Sequence, residues 1–276
     1  MSSGETIHDL LQLRFDDVPE ADGDTPELWQ TIAGRQSCRA YTEQTVDPAL
    51  LQRVCALALS SPTKSDLQQR DIVIVSDPDK RAAIDALFPG SPWIAGAPVF
   101  LVFCGNNRRL RQIHERAGHP FENDHFDAFF NAAVDAGIAL SAFVLAAEAA
   151  GLGTCPISTI RDHVDLINEF LELPGWVFPI AGMTVGWPDR TPRVNLRLPL
   201  AATVHTDRYN EDAQQAAIEA YDLRRAELRP YGSQRDPDRF GTLDPYAWSE
   251  DKARQYAEPQ RTDFGDYVRR KGFRLD

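Results

Sequence analysis

Hydrophobic positions along the chain recur at two spacings, one typical of helices and one typical of strands. Apolar residues three or four apart predict helices, and two of these runs open with the favourable start Asp-Pro. Short continuous runs rich in Val, Ile and Phe predict buried strands. The predicted helices cover residues 6–15, 28–34, a segment starting at Asp47-Pro48, 82–87 after Asp77-Pro78, 124–150, 162–171, 211–228 and 263–271. The predicted strands cover residues 71–76, 98–104, 154–157 and 177–187.

The order of these elements indicates the fold class. Helices and strands alternate irregularly, without the even rhythm of a doubly wound sheet, so we expect an α+β fold. The helix predicted at residues 124–150 is apolar on almost every side, which predicts burial in the middle of the protein. Polar residues, among them Asn131 and Asp135, interrupt it, so it lacks the ~20 uncharged apolar residues of a membrane span. The first fifteen residues lack the features of a secretory signal.

Charge and cysteine content narrow the compartment and the partners. The formal net charge is −12, which argues against a nucleic-acid or anionic-membrane partner. An anionic ligand would therefore have to be met by locally concentrated arginines. The four cysteines are widely spaced and lack a C-x-x-C pair, which predicts buried free thiols in a reducing cytoplasm.

Several common catalytic and phosphate-binding motifs are missing from the sequence. It contains no dinucleotide-binding glycine pattern, no P-loop, no G-x-S-x-G elbow and no H-E-x-x-H. His114, His119 and His125 lie near acidic residues, but their spacing fits no standard ligand pattern. We therefore predict a solvated polar loop here and no metal site.

The segment Arg35-Gln-Ser-Cys-Arg39 is a candidate binding site for an anion. In an extended segment alternate side chains share a face, so Arg35, Ser37 and Arg39 could converge on one ligand. Arginine supplies forked donors for a phosphate or a charged ring edge. The alternative is a solvated loop without a ligand.

A set of short motifs in a fixed order extends this observation. Arg35-Gln-Ser-Cys-Arg39-Ala-Tyr41 resembles the opening R/H-R-S-x-R-x-F motif of the nitroreductase superfamily. The rest of the chain carries similar marks at similar spacing: Ser61-Pro-Thr-Lys-Ser-Asp-Leu-Gln68, Ala146-Ala-Glu-Ala-Ala-Gly-Leu-Gly153, Leu173-Pro174, Gly186-Trp187-Pro188 and Arg197-Leu-Pro199. The resemblance covers residues 28–200 and continues more weakly to the C-terminus, most like the NADPH-dependent nitro/flavin reductase subgroup.

The resemblance implies a nitroreductase-like mixed sheet packed by helices and a homodimer intertwined through long buried central helices. It implies non-covalent FMN at the dimer interface. It divides the chain into an N-terminal extension (1–27), an FMN-binding domain (28–200) and a C-terminal arm (201–276). The residues that it assigns to FMN are Arg35, Gln36, Ser37 and Arg39 from the opening motif, Thr63 and Ser65 from the polar loop, Ser91, Ser158 and Thr159, and Arg197. Arg39 would meet the pyrimidine edge of the ring and Arg197 the phosphate.

The chain departs from the family pattern at several of these positions. Gln36 stands where an arginine is common, Asn195 replaces a cation, and Asp66 replaces an asparagine. Lys64 adds a cation, and Ser158-Thr159 replaces a Gly-Gly pair. These changes leave the ring contacts and the acceptor preference open.

The function implied is hydride transfer from NADPH or NADH to a small-molecule acceptor by a ping-pong cycle. The acceptor would be a nitroaromatic, a quinone or a flavin. The flavin carries the chemistry, so no catalytic side chain is required. Arg225, Arg229 and Arg235 are candidates for the nicotinamide dinucleotide, with solvated arginines as the alternative. Two other functions stay open: a specialised reduction by a divergent family member, and non-catalytic FMN binding or storage.

Overall fold

The chain divides into two compact units. The structure, a computed structural model, describes residues 6–18, 26–190 and 193–276. Met1–Arg35 with Arg193–Gln260 form one unit, the terminal unit. Gln36–Pro192 with Arg261–Asp276 form the other, the sheet unit. The boundary falls inside the opening motif, between Arg35 and Gln36, and the domain limits drawn from the sequence stay a prediction.

The sheet unit is built on four strands in the order β1-β2-β4-β3. They are β1 (Arg70–Val75), β2 (Val99–Asn106), β3 (Gly153–Ile157) and β4 (Val177–Gly186). All three neighbouring pairs are antiparallel. The expected α+β fold, a sheet packed by helices, is confirmed. Its named strands pair antiparallel, and Ser37 and Thr154 form one isolated parallel bridge.

Helices cover both faces of this sheet. They are α3 (Pro48–Leu59), α4 (Pro78–Asp85), α5 (Arg108–Ala117), α6 (Phe126–Ala149), α7 (Val164–Phe170) and α11 (Phe264–Arg270). Leu101 and Phe103 of β2 belong to the core layer shared with α3 and α6. Phe100 and Val102 belong to the layer on the opposite face. Because β2 is covered on both sides, its sequence is apolar throughout rather than alternating.

The long helix α6 is buried on one side and exposed on another. Ala132, Ala136 and Phe143 are fully buried. Phe126 and Phe130, by contrast, are about half exposed, at 47% and 51%. By length and composition α6 could cross a membrane, and among the described residues no other helix could. Its contacts with the sheet and its buried Asp135 are those of a core helix.

The terminal unit contains five helices and no named strand in its described residues. They are α1 (Ile7–Phe15), α2 (Glu27–Gly34), α8 (Gln214–Leu228), α9 (Pro237–Phe240) and α10 (Trp248–Tyr256). Thr6 and Asp9 form a capping box that starts α1. Helix α1 packs against α2, and α8 packs against α10.

Most of the predicted elements are confirmed, with ends shifted by a few residues. Helix α5 contradicts the polar loop predicted around His114. This helix is rich in arginine and has only two large apolar residues, Leu110 and Ile113, so its sequence lacks a clear apolar stripe. Gly118 ends it in the left-handed conformation, with φ 69°. Part of the acidic loop after α1, residues 19–25, lies outside the described residues.

Candidate functional site

Two arginines expected to bind FMN, Arg35 and Arg197, belong to the terminal unit. Arg35 follows directly after α2, and Arg197 belongs to the segment that leads to the C-terminal helices. The pKa of Arg197 is lowered, mainly by partial burial and further by the positive charge of Arg35. Two guanidinium groups that repel each other in a partly desolvated place are unfavourable unless an anion joins them. This arrangement fits a phosphate group.

Arg14 holds the two arginines in place, a role that the sequence did not reveal. Its buried guanidinium donates to the carbonyl groups of Arg35, Ala33 and Asn195, the last two at 2.6 and 3.1 Å. In return, the backbone N–H of Arg197 donates to the carbonyl of Arg14 at 2.7 Å. One side chain of α1 thus ties together both segments that carry a candidate ligand. An arginine that donates several hydrogen bonds to backbone carbonyl groups leaves no periodic pattern in the sequence.

Arg197 also lines a cavity of about 300 Å³. Phe15, Leu198, Tyr221 and Trp248 contribute to its wall. Tyr221 and Trp248 meet edge to face, with ring centroids 5.4 Å apart. A charged ligand can therefore reach Arg197 from solvent.

In the sheet unit, residues 36–39 run along β3. The N–H of Cys38 donates to the carbonyl of Thr154 at 2.8 Å, and Cys38 is buried. Ser37 and Arg39 alternate with Cys38 and are more accessible, as the extended segment predicted. Gln36 contributes a buried side-chain oxygen that accepts no hydrogen bond from the described residues. Such an unpaired acceptor fits a ligand that donates.

Close approach to β3 depends on Gly153. A Cβ atom at this position would lie 2.7 Å from both Cβ and Sγ of Cys38. Tyr41 fixes the same segment, since its hydroxyl donates to the carbonyl of Cys38 at 2.7 Å and pairs with Thr184 Oγ1 at 2.8 Å. The glycine at the start of β3 is therefore required for packing the motif.

Arg39 meets a third part of the chain. Its guanidinium lies over the ring of Trp93, 5.4 Å from the centroid, a cation–π geometry. Ser91 begins the turn that carries this ring, as its carbonyl accepts from the N–H of Ile94 at 2.9 Å. The structure thus brings Arg39 to the Ser91 turn. Trp93 was missed because nothing near it in the sequence marks it as more than a core residue.

The remaining ring candidates lie at two turns of the sheet unit. Thr63 and Ser65 are on the loop between α3 and β1, with Thr63 half-buried and Ser65 exposed. Ser158 and Thr159 are exposed at the start of the 3₁₀ turn that follows β3. The convergence of these two turns on one ligand stays a prediction.

The three arginines predicted for the nicotinamide dinucleotide all have protein partners in the terminal unit. Arg225 stacks on the ring of Tyr231 at 4.5 Å, and Arg229 donates to the carbonyl of Leu228 at 3.0 Å. Arg235 pairs with the buried carboxylate of Asp251 at 3.0 Å. They are spread along α8 and the following loop, and this spread leaves their nicotinamide role a prediction.

Other reactive groups in the described residues do not form a centre. Within those ranges no three His, Cys, Asp or Glu side chains converge as metal ligands. All four cysteines are buried and lie outside disulfides, as predicted. Burial raises the pKa of the Cys104 thiol to about 12 and raises that of Cys38 as well. Both thiols are therefore uncharged at neutral pH and poor nucleophiles.

These features define an α+β protein whose arginines and polar loops suit a phosphorylated ring compound. The sequence profile of the nitroreductase family matches residues 32–187, and that of the family's C-terminal domain matches residues 196–276. The chain belongs to the nitroreductase family.

Relatives match over nearly their full length. The FMN reductase [NAD(P)H] of Bacillus subtilis is 32% identical over 254 residues, covering 91% of this chain and 99% of the relative. The oxygen-insensitive NADPH nitroreductase of Salmonella typhimurium is 28% identical, covering 88% and 97%.

Solved structures agree with this fold. The structure of NfrA2 from B. megaterium has a TM-score of 0.82 and 32% identity, covering 91% of this chain and 100% of that one. The NADPH:FMN oxidoreductase of Vibrio harveyi, solved in complex with NAD+, has a TM-score of 0.77 and 27% identity, covering 89% and 97%.

Proposed function

We propose that this protein is an FMN-dependent oxidoreductase that takes hydride from NAD(P)H and passes it to a small electron-poor acceptor. The observation that carries the proposal is the agreement with FMN reductases along nearly the whole chain. The paired cations Arg35 and Arg197 support it independently, since they suit the phosphate of FMN. In this proposal the cofactor is held non-covalently, by charge, hydrogen bonds and packing.

We assign the phosphate to Arg35 and Arg197, with Arg14 holding both. An anion bound by both residues would relieve the repulsion between the guanidinium groups of Arg35 and Arg197. Asn195, where the subgroup has a cation, contributes its carbonyl to Arg14 instead. The backbone at this position is therefore used even though the charge is missing.

We assign the flavin ring to residues of the sheet unit. Arg39 would meet the pyrimidine edge, where a cation stabilises negative charge on the reduced ring and raises its reduction potential. Trp93 holds this guanidinium in place. The other ring ligands in this assignment are Gln36, Ser37, Thr63, Ser65, Ser91, Ser158 and Thr159.

The reaction needs binding and orientation more than acid–base groups. Bound FMN supplies the redox chemistry, because its ring accepts and returns a hydride. The protein holds NADPH or NADH and then, after the oxidised nicotinamide leaves, an acceptor such as a nitroaromatic, a quinone or a flavin. Arg225, Arg229 and Arg235 remain candidates for the dinucleotide. Of these, Arg235 is already engaged by the buried carboxylate of Asp251.

We also propose a homodimer with FMN at its interface. Phe126, Phe130 and Val134 form an exposed apolar stripe on α6, at 47%, 51% and 42% exposure. Exposed large side chains four residues apart on one helix face suit a second copy of the chain. The absence of disulfides among the described cysteines supports a cytoplasmic location, and the net charge of −12 argues against nucleic acid or anionic membranes as partners.

The visible spectrum of the purified protein, recorded without oxygen before and after adding NADPH, tests this function. We expect a flavin spectrum that bleaches at once and returns when a quinone or nitro compound is added. Chromatography of the cofactor released by heat identifies it as FMN or FAD. A flavin that stays oxidised would favour FMN storage, and bleaching without turnover would favour a specialised acceptor. A colourless protein that FMN does not reconstitute would refute the proposal.

A further inference from the structure

The loop that carries Thr63 and Ser65 has an unfavourable backbone. Ser65, Asp66 and Gln68 adopt positive φ angles of 47°, 57° and 52°. Residues with a Cβ atom avoid this left-handed region, and three within four positions are unusual. Such a conformation persists only where its surroundings hold it. The loop therefore needs an anchor outside itself.

The anchor is the carboxylate of Asp135 on α6. Its Oδ1 accepts the backbone N–H of Lys64 at 3.0 Å, and its Oδ2 accepts that of Gln69 at 3.0 Å. Asp135 is only 1% exposed. Both oxygens of a buried carboxyl group are thus committed to backbone donors at the two ends of the strained turn. Hydrogen bonds in a place shielded from water are stronger than those exposed to it.

Asp135 is the inner end of a polar stripe on an otherwise apolar helix. Asp127, Asn131 and Asp135 are four residues apart and so lie on one face of α6. Asn131 donates to Asp127 at 2.7 Å, and Asp127 pairs with Lys64 Nζ at 2.8 Å. Lys64 is therefore bound by its side chain at the outer end of the stripe and by its backbone at the inner end.

Other contacts close the loop without replacing this anchor. Arg70 Nη2 donates to the carbonyl groups of Leu59 and Ser61 at 2.7 and 3.0 Å, which fixes the start of the loop. Thr63 Oγ1 accepts from the N–H of Gln68 at 3.4 Å, a long contact across the turn. Arg109 Nη1 also donates to the carbonyl of Gln68 at 2.8 Å, so α5 helps to hold this end of the turn. Asp135 anchors the backbone N–H groups at both ends, those of Lys64 and Gln69.

We propose that Asp135 is a positioning residue, which holds residues 64–69 in the strained conformation that presents Thr63 and Ser65 to the flavin ring. The proposal rests on the function proposed above. Asp135 does not itself touch the cofactor in this account. It acts through the backbone of the loop, and its two accepting oxygens let one side chain satisfy two donors.

The variant Asp135→Asn separates this role from simple volume. An amide of the same shape has one accepting oxygen, and its NH₂ group faces the second backbone donor instead of accepting from it. We expect hydrogen exchange of the Lys64 and Gln69 amides to become faster. With the loop released, we expect FMN affinity to fall about tenfold, the loss that corresponds to about 1.4 kcal/mol. The potential and absorption maxima of the bound flavin should also shift.

Two control variants distinguish positioning from general loss of stability. Phe143→Leu weakens the same helix in its buried core, where Phe143 packs edge to face on Phe103, and leaves the loop alone. It should lower the melting temperature with FMN affinity, flavin potential and loop exchange unchanged. Asp127→Asn removes only an exposed ion pair and should change FMN affinity much less than Asp135→Asn.

The outcomes are separable from the test of function. If the unaltered protein binds no FMN, the proposed function fails. If it binds FMN and Asp135→Asn keeps the same affinity, potential and loop exchange, the positioning role fails. It also fails if loop exchange rises while the flavin is unaffected, since the loop would then not serve the ring. A loss in Asp135→Asn that Phe143→Leu reproduces at equal melting temperature would reduce the role to stability alone.

Discussion

Replacing Arg197 by glutamine is the most direct perturbation of the candidate phosphate site. A hydrogen bond to a charged group contributes about 1.5–3 kcal/mol. Arg197 keeps an exposed side, so water screens part of its interaction and the lower part of this range applies. The repulsion between Arg35 and Arg197 in the free protein also disappears in the variant, which offsets some of the loss. We therefore expect FMN to bind about 10- to 30-fold more weakly, or about 1.5–2 kcal/mol.

The assay compares two ligands that differ only in the phosphate. Apoprotein is titrated with FMN and with riboflavin, and binding is followed by the change in flavin fluorescence. Arg197→Gln should weaken FMN and leave riboflavin unchanged, so that the preference for FMN shrinks. The free variant should be no less stable than the unaltered protein, because a repulsive pair is gone. Inorganic phosphate should raise the melting temperature of the unaltered apoprotein more than that of the variant.

The control is Arg193→Gln, an exposed arginine four residues away in the same segment. It removes the same formal charge, so any general effect of net charge appears in both variants. Equal loss of FMN and riboflavin in Arg197→Gln would mean that the residue supports the ring pocket or the fold instead of the phosphate. Unchanged FMN affinity would remove Arg197 from the site altogether.

Four further changes test the rest of the assignment. Arg39→Ala should lower both FMN retention and the flavin reduction potential in spectroelectrochemical titration; full retention at an unchanged potential would contradict its placement. Gly153→Ala should lower the free energy of unfolding by about 1–3 kcal/mol, and with it the melting temperature, because the added methyl group would lie 2.7 Å from Cys38. An equal melting temperature would show that the close packing is not needed. Phe130→Asp should leave a folded monomer in analytical ultracentrifugation, and a persistent dimer would place the interface elsewhere. Burial raises the pKa of Cys104 to about 12, whereas the pKa of an ordinary thiol is near 8.5. The thiol therefore ionises at lower pH in the unfolded chain than in the folded one, and the stability of the fold decreases as the pH rises between these two values. Cys104→Ala should make the urea midpoint fall less between pH 8 and pH 11 than in the unaltered protein, and parallel slopes would contradict the shift.

The parts of the fold that could be predicted are those with strong local signals. The Asp-Pro starts predicted α3 and α4, and continuous apolar runs predicted the four strands. The charged helix α5 was missed because its few apolar residues, Leu110 and Ile113, make too narrow a stripe. The order and direction of the strands are not local information either. Pairing depends on the path of the chain between strands, which hydrophobic periodicity does not encode.

The candidate site shows the same division between local and distant information. Ser37 and Arg39 could be predicted to share a face because an extended chain alternates. Arg14, by contrast, acts through three backbone carbonyls on two distant segments, and Trp93 meets Arg39 across more than fifty residues of sequence. A carbonyl is present at every position, so the residue that it pairs with cannot be inferred from side-chain types. Supporting residues of this kind become visible only in three dimensions.

The polar residues of α6, which interrupt its apolar sequence, form a row of their own on the helix. Its rows at a spacing of four have different tasks: Asp127, Asn131 and Asp135 face the polar loop, whereas Phe126, Phe130 and Val134 are exposed beside them. Because the two rows are adjacent on one helix, the loop that presents Thr63 and Ser65 lies next to the surface proposed for the second subunit. A flavin held by this loop would then be close to the subunit interface without any further requirement. The same helix therefore links cofactor binding to assembly, and disruption of the stripe at Phe130 should weaken FMN as well as the dimer.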